Sequence, residues 1–294
     1  MGATETHKLF AWGGLSFLIP GDWDLAQSRQ DGEVQRLVLE DLLQPRLEVD
    51  WQVPAAGVRG QDIQKRCQKH SAKVAAAALA VQAISGLSER WTAHHYALAG
   101  ERILIVAYIL PREPGEPLVF FRMHCTGRQH SPLPETLFRQ LAGSYRWHGG
   151  DSIPWNFYDV SFRLPSCFRL TGTGLDAGRK LLAFAWGLRR LYLWHFSLAE
   201  QIRQQKDFPH WAVDFLHASA IMPVPFWQVN VEHELYATRR KRFFLGQFEE
   251  IGRLCFRYAA GYRHRPEKNQ LALWLFQYRR DDDLRCLQEG MEFT

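Results

Sequence analysis

The first strongly patterned stretch of the chain is Leu15-Ser-Phe17-Leu-Ile-Pro20-Gly-Asp-Trp23-Asp-Leu25. Apolar residues at 15, 17 and 19 alternate as in a strand with one buried face, and Pro20-Gly21 stops the run. The phrase returns in the second half as Val160-Ser-Phe162-Arg-Leu164-Pro165-Ser-Cys-Phe168-Arg-Leu170. Ser16 aligns with Ser161, Phe17 with Phe162, Pro20 with Pro165, Trp23 with Phe168 and Leu25 with Leu170. A strand, a proline stop and an aromatic three residues later, occurring twice, predict an internal duplication.

In the first half a polar turn is expected over Gln27–Glu33, with Gly32 at the bend, followed by strands around Leu37–Leu39 and Leu47–Trp51. The period then changes. Ile63, Cys67, Val74, Ala78 and Val81 fall at helical spacing, with charged Asp62, Lys65, Arg66, Lys69 and Lys73 on the other side. That predicts one amphipathic helix over residues 57–84, stopped by Gly86. Strands are expected at Trp91–Leu98, Ile103–Leu110 and Leu118–Cys125, then a short helix over Pro132–Leu141 and a closing strand Ser144–Trp147. His148-Gly-Gly-Asp151 reads as a linker, giving domains 1–149 and 150–294.

The second half repeats this plan with different surfaces. Leu181–Phe184 and Leu191–Phe196 supply strands, and Phe208, Trp211, Phe215 and Ser219 make a helix stripe. Phe226–Tyr236, Leu254–Tyr262 and Leu271–Tyr278 supply more strands. Arg239-Arg-Lys-Arg242-Phe-Phe-Leu-Gly246 is an insertion without a counterpart, and residues 239–252 fit strand or helical spacing equally well. The final helix, Asp281–Gly290, looks stunted, and no closing strand is expected after it. This C-terminally shortened copy would leave an open sheet edge, which another domain or a second chain could cover as a homodimer.

The predicted class is therefore α+β, as two tandem domains, each a twisted antiparallel sheet with helices packed on it. The phrase LSFLIPGDWDL, the strands RLVLED and RLEVDW and the closing LFRQLAGSYRW resemble the Mog1/PsbP-like superfamily, including its DcrB-like bacterial branch. The resemblance covers residues 9–147 and, more weakly, the second half. It implies the fold and a bacterial source. It implies no common activity, because members include a binder of a small GTPase and an extrinsic photosystem subunit, and no functional residue set is carried over.

Composition narrows the function classes. The 294 residues carry 46% hydrophobic and 23% charged positions and a formal net charge of +5, an ordinary globular balance that allows two domains of roughly 100–150 residues. The basic excess is too dilute for a dedicated polyanion binder. Arginine outnumbers lysine 28 to 8, beside 11 Trp, 19 Phe and 9 Tyr, residues that suit contact surfaces as well as large sheets. The five cysteines are scattered, with no CxxC pair, which suggests free buried thiols in a reducing compartment. Neither a leader peptide nor a membrane helix of ~20 apolar residues is apparent. The expected location is cytoplasmic.

Catalytic signatures are missing: there is no GxxxxGK[ST], no GxGxxG after a strand, no GxSxG and no HExxH. His94-His95 would point to opposite faces of a strand, and Glu232-His233-Glu234, His124 and His130 could form a metal site only by long-range convergence. Cys67 and His70 share a helix stripe without a third group to orient them. Asp281-Asp-Asp283 reads as a solvated turn paired with Arg279-Arg280. No cofactor and no metal site is implied.

The best candidates for partner contact are Arg239, Arg240, Lys241 and Arg242, with Trp194 and Trp227 as strand aromatics. An acidic protein patch suits the basic run better than nucleic acid does. The expected function is a non-enzymatic interaction, scaffold or assembly module that binds a protein partner or its own copy. The alternative is a small-molecule or lipid-binding protein, possibly an enzyme, with its site at the seam between the copies.

Overall fold

The structure is a computed structural model that describes residues 6–55, 60–126, 133–219, 228–229, 234–238 and 257–293. The chain divides into two compact units, Met1–Phe162 and Arg163–Thr294.

The first unit begins with the hairpin β1 (His7–Trp12) and β2 (Leu15–Pro20), followed by β3 (Asp24–Asp31), β4 (Val34–Glu40) and β5 (Pro45–Gln52). Helix α1 (Gly60–Ala75) leads to β6 (Ala80–Ala83), β7 (Trp91–Leu98), β8 (Arg102–Ile109) and β9 (Leu118–Thr126). Helix α2 (Pro134–Ser144), β10 (Arg146–Trp147) and β11 (Ser152–Phe157) follow. Strands β3 to β9 form one antiparallel sheet in the order β3-β4-β5-β9-β8-β7-β6.

One face of that sheet buries Leu37, Leu39, Leu47, Val49, Phe121 and Met123. The hairpin contributes Phe10, Trp12, Leu15, Phe17 and Ile19, all buried, and Phe17 meets Phe121 edge-on at 5.9 Å between ring centroids. Helix α2 seats Phe138 edge-on against Trp91 at 5.5 Å. Successive strand residues face opposite ways, so Phe120 points away from Phe121, and there Cys67 of α1 packs against Tyr108, Leu118 and Phe120.

Two glycines allow the hairpin to lie down. Gly13 and Gly14 form its two-residue turn with φ of +58° and +91°, the left-handed pairing that tight hairpins require. A Cβ on Gly14 would sit 2.6 Å from the Trp147 ring, and one on Gly13 would sit 2.8 Å from Trp51.

The second unit takes up the chain within β12 (Val160–Pro165) and continues through β13 (Arg169–Asp176), β14 (Arg179–Trp186) and β15 (Arg189–Ser197). Helices α3 (Ala199–Gln205) and α4 (Phe208–Ala218) precede β16 (Gln228–Val229), β17 (Glu234–Thr238), β18 (Arg257–Arg265) and β19 (Gln270–Tyr278). Helix α5 (Asp281–Gly290) and β20 (Glu292–Phe293) end the described chain. The sheet order is β13-β14-β15-β19-β18-β17-β16, the same as in the first unit with each strand replaced by its counterpart. Helix α4 covers one face, burying Trp194, Phe196, Leu271, Leu273 and Leu275.

Local details match as well. Trp23 N–H donates to the Pro20 carbonyl, and Phe168 N–H donates to the Pro165 carbonyl, both at 3.1 Å. A β-bulge lies between Leu25 and Gln27 in β3 and between Leu170 and Gly172 in β13. Among the described residues no helix is long and apolar enough to cross a membrane.

Several sequence expectations are corrected. The expected turn over 27–33 is mostly strand: β3 is polar because it is an edge strand. The expected helix over 57–84 stops at Ala75, and Ala80–Ala83 pair with β7 instead. The boundary lies at Phe162 rather than at residue 149, since β11 pairs with β1 through Ala11 and Asn156. The second unit is not cut short: α5 spans 10 residues against 11 in α2, and β20 closes beside β12. Two-residue strands have too few positions to show alternation. Residues 239–252 lie outside the described residues.

The turn geometry gives a direct test. Gly14→Ala adds both left-handed backbone strain and a clash with Trp147, whereas Gly32→Ala, at φ +59° with nothing within 4 Å, adds strain alone. Thermal or urea unfolding should show a loss of about 1–2 kcal/mol for Gly32→Ala and clearly more, about 3 kcal/mol or above, for Gly14→Ala. Equal losses would mean that the Trp147 contact does not constrain the hairpin.

Candidate partner-binding site

The most unusual surface in the first unit is the turn between β4 and β5, Asp41-Leu42-Leu43-Gln44. Leu42 is 96% exposed and Leu43 83% exposed, yet the turn under them is tightly fixed. Asp41 Oδ1 accepts from the backbone N–H groups of Leu43 and Gln44, each at 2.8 Å. Asp41 N–H donates to the Gln44 carbonyl at 3.2 Å. Asp41 Oδ2 accepts from Arg46 Nε at 2.5 Å, with both side chains below 10% exposure. An Asp at the first position of a turn closes it through its side chain, and the buried arginine locks that side chain.

Burial alone raises the Asp41 pKa, but the two backbone donors and Arg46 outweigh it and hold the carboxyl below its ordinary value. The arrangement therefore presents two leucines on a rigid, charge-anchored tip. Side chains of this size are usually covered, since full burial of each is worth about 1.5–3 kcal/mol.

A second open surface is β6, the sheet edge beside β7. All four of its residues are exposed, and Leu79 just before it is 77% exposed. Ile84 N–H donates to the Ala93 carbonyl at 3.0 Å. Alternation along an antiparallel pair then turns the backbone groups of Val81 and Ala83 outward. Edge strands are commonly guarded by charge, proline or a bulge. The opposite edge, β3, has Asp24, Arg29, Asp31 and a bulge, whereas Leu79–Ala83 has none of these.

The outer face of the first sheet is charged but internally matched. Arg36 meets Asp50 at 2.6 Å, Arg122 meets Glu48 at 2.9 Å and Asp50 at 3.0 Å, and His124 Nε2 lies 2.8 Å from Glu48. A surface groove of about 310 Å³ beside this ladder is lined by Val34, Trp51, Leu118, Phe120 and Arg122. Among the described residues no three His, Cys, Asp or Glu side chains converge as metal ligands.

Trp194 is corrected from a contact residue to a core residue. It is 3% exposed, stacked with Tyr192 at 5.8 Å and edge-on to Phe215 of α4 at 5.4 Å. Arg239, Arg240, Lys241, Arg242 and Trp227 lie outside the described residues, as do Glu232, His233 and His130.

Cys67 is fully buried, and burial pushes its thiol up to about 11. It is an inert core thiol rather than a nucleophile. His95 Nδ1 lies 3.1 Å from Glu135. Asp281, Asp282 and Asp283 form the first turn of α5 and face the side chains of Arg257, Arg285 and Arg189, while Asp283 Oδ2 also accepts from the backbone N–H groups of Arg279 and Arg280 at 3.1 and 3.0 Å.

No family model and no curated protein matches the chain. Solved structures give partial likenesses. The cyanobacterial PsbP of Synechocystis sp. PCC 6803 shares 17% identity over 50% of this chain and 94% of its own, with a TM-score of 0.33. The Ran-binding protein Mog1p of Saccharomyces cerevisiae shares 10% identity over 49% of this chain and 96% of its own, with a TM-score of 0.32. The MucA/MucB complex of Pseudomonas aeruginosa is matched over 98% of this chain and 92% of that one, at 11% identity and a TM-score of 0.22. The α+β class itself rests on the antiparallel strand order described above.

The sequence-based search missed the Leu42-Leu43 tip and misassigned β6. The signal for the tip was Asp41 two residues before Leu43 and three before Gln44, the spacing of a side-chain-closed turn. For β6 it was the loss of charge after Lys73, since an amphipathic surface helix needs a polar face in every turn.

The pH dependence has a definite sign. A carboxyl whose pKa is lowered on folding stabilises above the ordinary carboxylate value of about 3.9, and that stabilisation is lost as pH falls through the folded value. The Leu43 and Gln44 amide resonances should therefore titrate below that value and lose exchange protection together. Asp41→Asn should lose most of that protection already at pH 7. An apparent midpoint at or above 4 would refute the anchoring of the turn.

Proposed function

We propose that the protein is an interaction module, made of two tandem copies of a Mog1/PsbP-like α+β domain, that docks a protein partner through the Leu42-Leu43 tip. The observation that carries this reading is the two leucines held almost wholly in solvent on a turn fixed by Asp41 and Arg46. Binding energy comes from burying them, and little ordering is needed because the turn is already rigid. The matched strand orders, the paired proline turns and the paired bulges support the duplication. The β6 edge offers a second, backbone-mediated contact by strand addition. Arg239, Arg240, Lys241 and Arg242 fit a role in steering an acidic partner toward the protein.

The test uses position 43. A photo-cross-linking residue at 43 in the full chain, in cells, should trap a defined protein whose identity is read by mass spectrometry. That protein, purified, should bind the Leu42→Ser/Leu43→Ser variant at least about tenfold more weakly than the wild type. Melting temperatures should agree, since the two side chains pack on nothing. Equal affinities, or no trapped protein at all, refute the reading. A Val81→Lys variant separates the edge from the tip: weakened binding assigns the edge to the same interface, and unchanged binding removes it.

A further inference from the structure

The second unit contains a pair of thiols that the docking reading does not use. Cys167 lies in the turn between β12 and β13, and Cys286 lies on α5, far apart in sequence. Their side chains hydrogen-bond to each other, both are free, and both are partly exposed. Arg189 stands beside them. Its Nη2 donates to Asp283 Oδ1 at 2.6 Å, and its guanidinium lies 4.3 Å from the centre of the Trp186 ring. Its buried Nε has no nitrogen or oxygen partner. The Arg189 charge favours the Cys167 thiolate, an effect that burial and the neighbouring Cys286 outweigh.

Arg189 also lines a pocket of about 420 Å³ together with Leu188, Arg279 and Arg280. Three arginines at one pocket suit a small anion that carries carboxylates. We propose that Cys167 and Cys286 are a reversible disulfide site, oxidised by a small carboxylate-bearing disulfide that enters through the Arg279–Arg280 pocket. In the first step one cysteine thiolate attacks the small disulfide, forming a mixed disulfide and releasing one small thiolate. The second cysteine thiolate then attacks the protein sulfur of that mixed disulfide and releases the second small thiolate. Two protein thiols are oxidised, one disulfide is reduced, and the two protons pass to the released thiolates. The new bond ties α5 to the turn that starts the second sheet.

Burial, with the neighbouring Cys286, raises the Cys167 thiol to about 11. The attacking thiolate is therefore scarce at neutral pH, and the oxidation rate should climb about tenfold per pH unit between 7 and 10 if Cys167 attacks first.

The experiment treats the reduced full-length chain with oxidised glutathione, quenches with alkylating agent and maps tryptic peptides. Peptide Leu164–Arg169 should appear linked to Cys286–Thr294, with the melting temperature of the oxidised protein raised by roughly 5–10 °C. Cys167→Ser and Cys286→Ser should each leave a glutathione adduct on the remaining cysteine and abolish the shift. Arg279→Ala/Arg280→Ala should slow oxidation by glutathione disulfide several-fold while leaving oxidation by uncharged hydroxyethyl disulfide unchanged. Unlinked adducts on both cysteines of the wild type would overturn the disulfide. Equal rates for the arginine variant with the two oxidants would overturn the pocket as the entry.

Discussion

The first unit depends on how closely the β1–β2 hairpin approaches the rings beside it. Gly13 and Gly14 have no Cβ, so Trp51 and Trp147 can come within van der Waals distance of the turn backbone. That approach seats Phe10, Trp12, Leu15, Phe17 and Ile19 in the core. Without it the large sheet would expose the face containing Leu37, Leu47 and Phe121. The turn after β11 solves a related problem differently. Tyr158 takes φ +51° without being glycine, and its strain is offset by two hydrogen bonds, from its N–H to Asp24 and from its hydroxyl to the Leu25 carbonyl, at 2.7 and 2.6 Å.

What the two units share is therefore geometry that protects backbone: proline turns, bulges near the edge, and one order of antiparallel strands. What differs is the covering of the sheets. In the first unit the described side chains of α1 include the buried thiol of Cys67, which packs against Tyr108 and Phe120. In the second, α4 contributes Trp211, Phe215 and Leu216 to an aromatic layer with Trp194 and Phe196. The heavier aromatic content read along residues 191–215 is thus used inside. An aromatic strand face is a core signal whenever a helix with matching aromatics follows it, as Phe208, Trp211 and Phe215 do here.

Strands with strong alternation or continuous apolar runs, such as β2, β5, β8, β9 and β19, were legible in the sequence because each has a face whose burial dictates its letters. Edge and very short strands were not. β3 carries six polar residues among its eight because it is an edge strand, β6 is only Ala-Val-Gln-Ala, and β10 and β20 are two residues long. The Leu42-Leu43 tip was invisible for a different reason. Exposure is a property of the folded surface, and in a chain with 46% hydrophobic residues two more leucines in sequence look like core. Likewise Cys167 and Cys286 look unrelated until the turn after β12 and α5 are brought together.

Arginine abundance suggested a charged contact surface, and the described residues use many of those charges internally. In the first unit Arg36, Arg46, Arg90 and Arg122 each face a carboxylate within 3 Å. Arginine is suited to this because its planar fork can bridge two strands or two carboxylates at once, as Arg122 does between Glu48 and Asp50. A matched guanidinium has little left to offer a partner, and exposed pairs of this kind contribute only about 0–1 kcal/mol. Affinity at the first unit's surface must then come from apolar area and from unpaired backbone. Both lie where charge is absent, at the Leu42-Leu43 tip and along Leu79–Ala83. The role left for charge is to hold those apolar groups in place, and Asp41 with Arg46 does this directly beneath the tip.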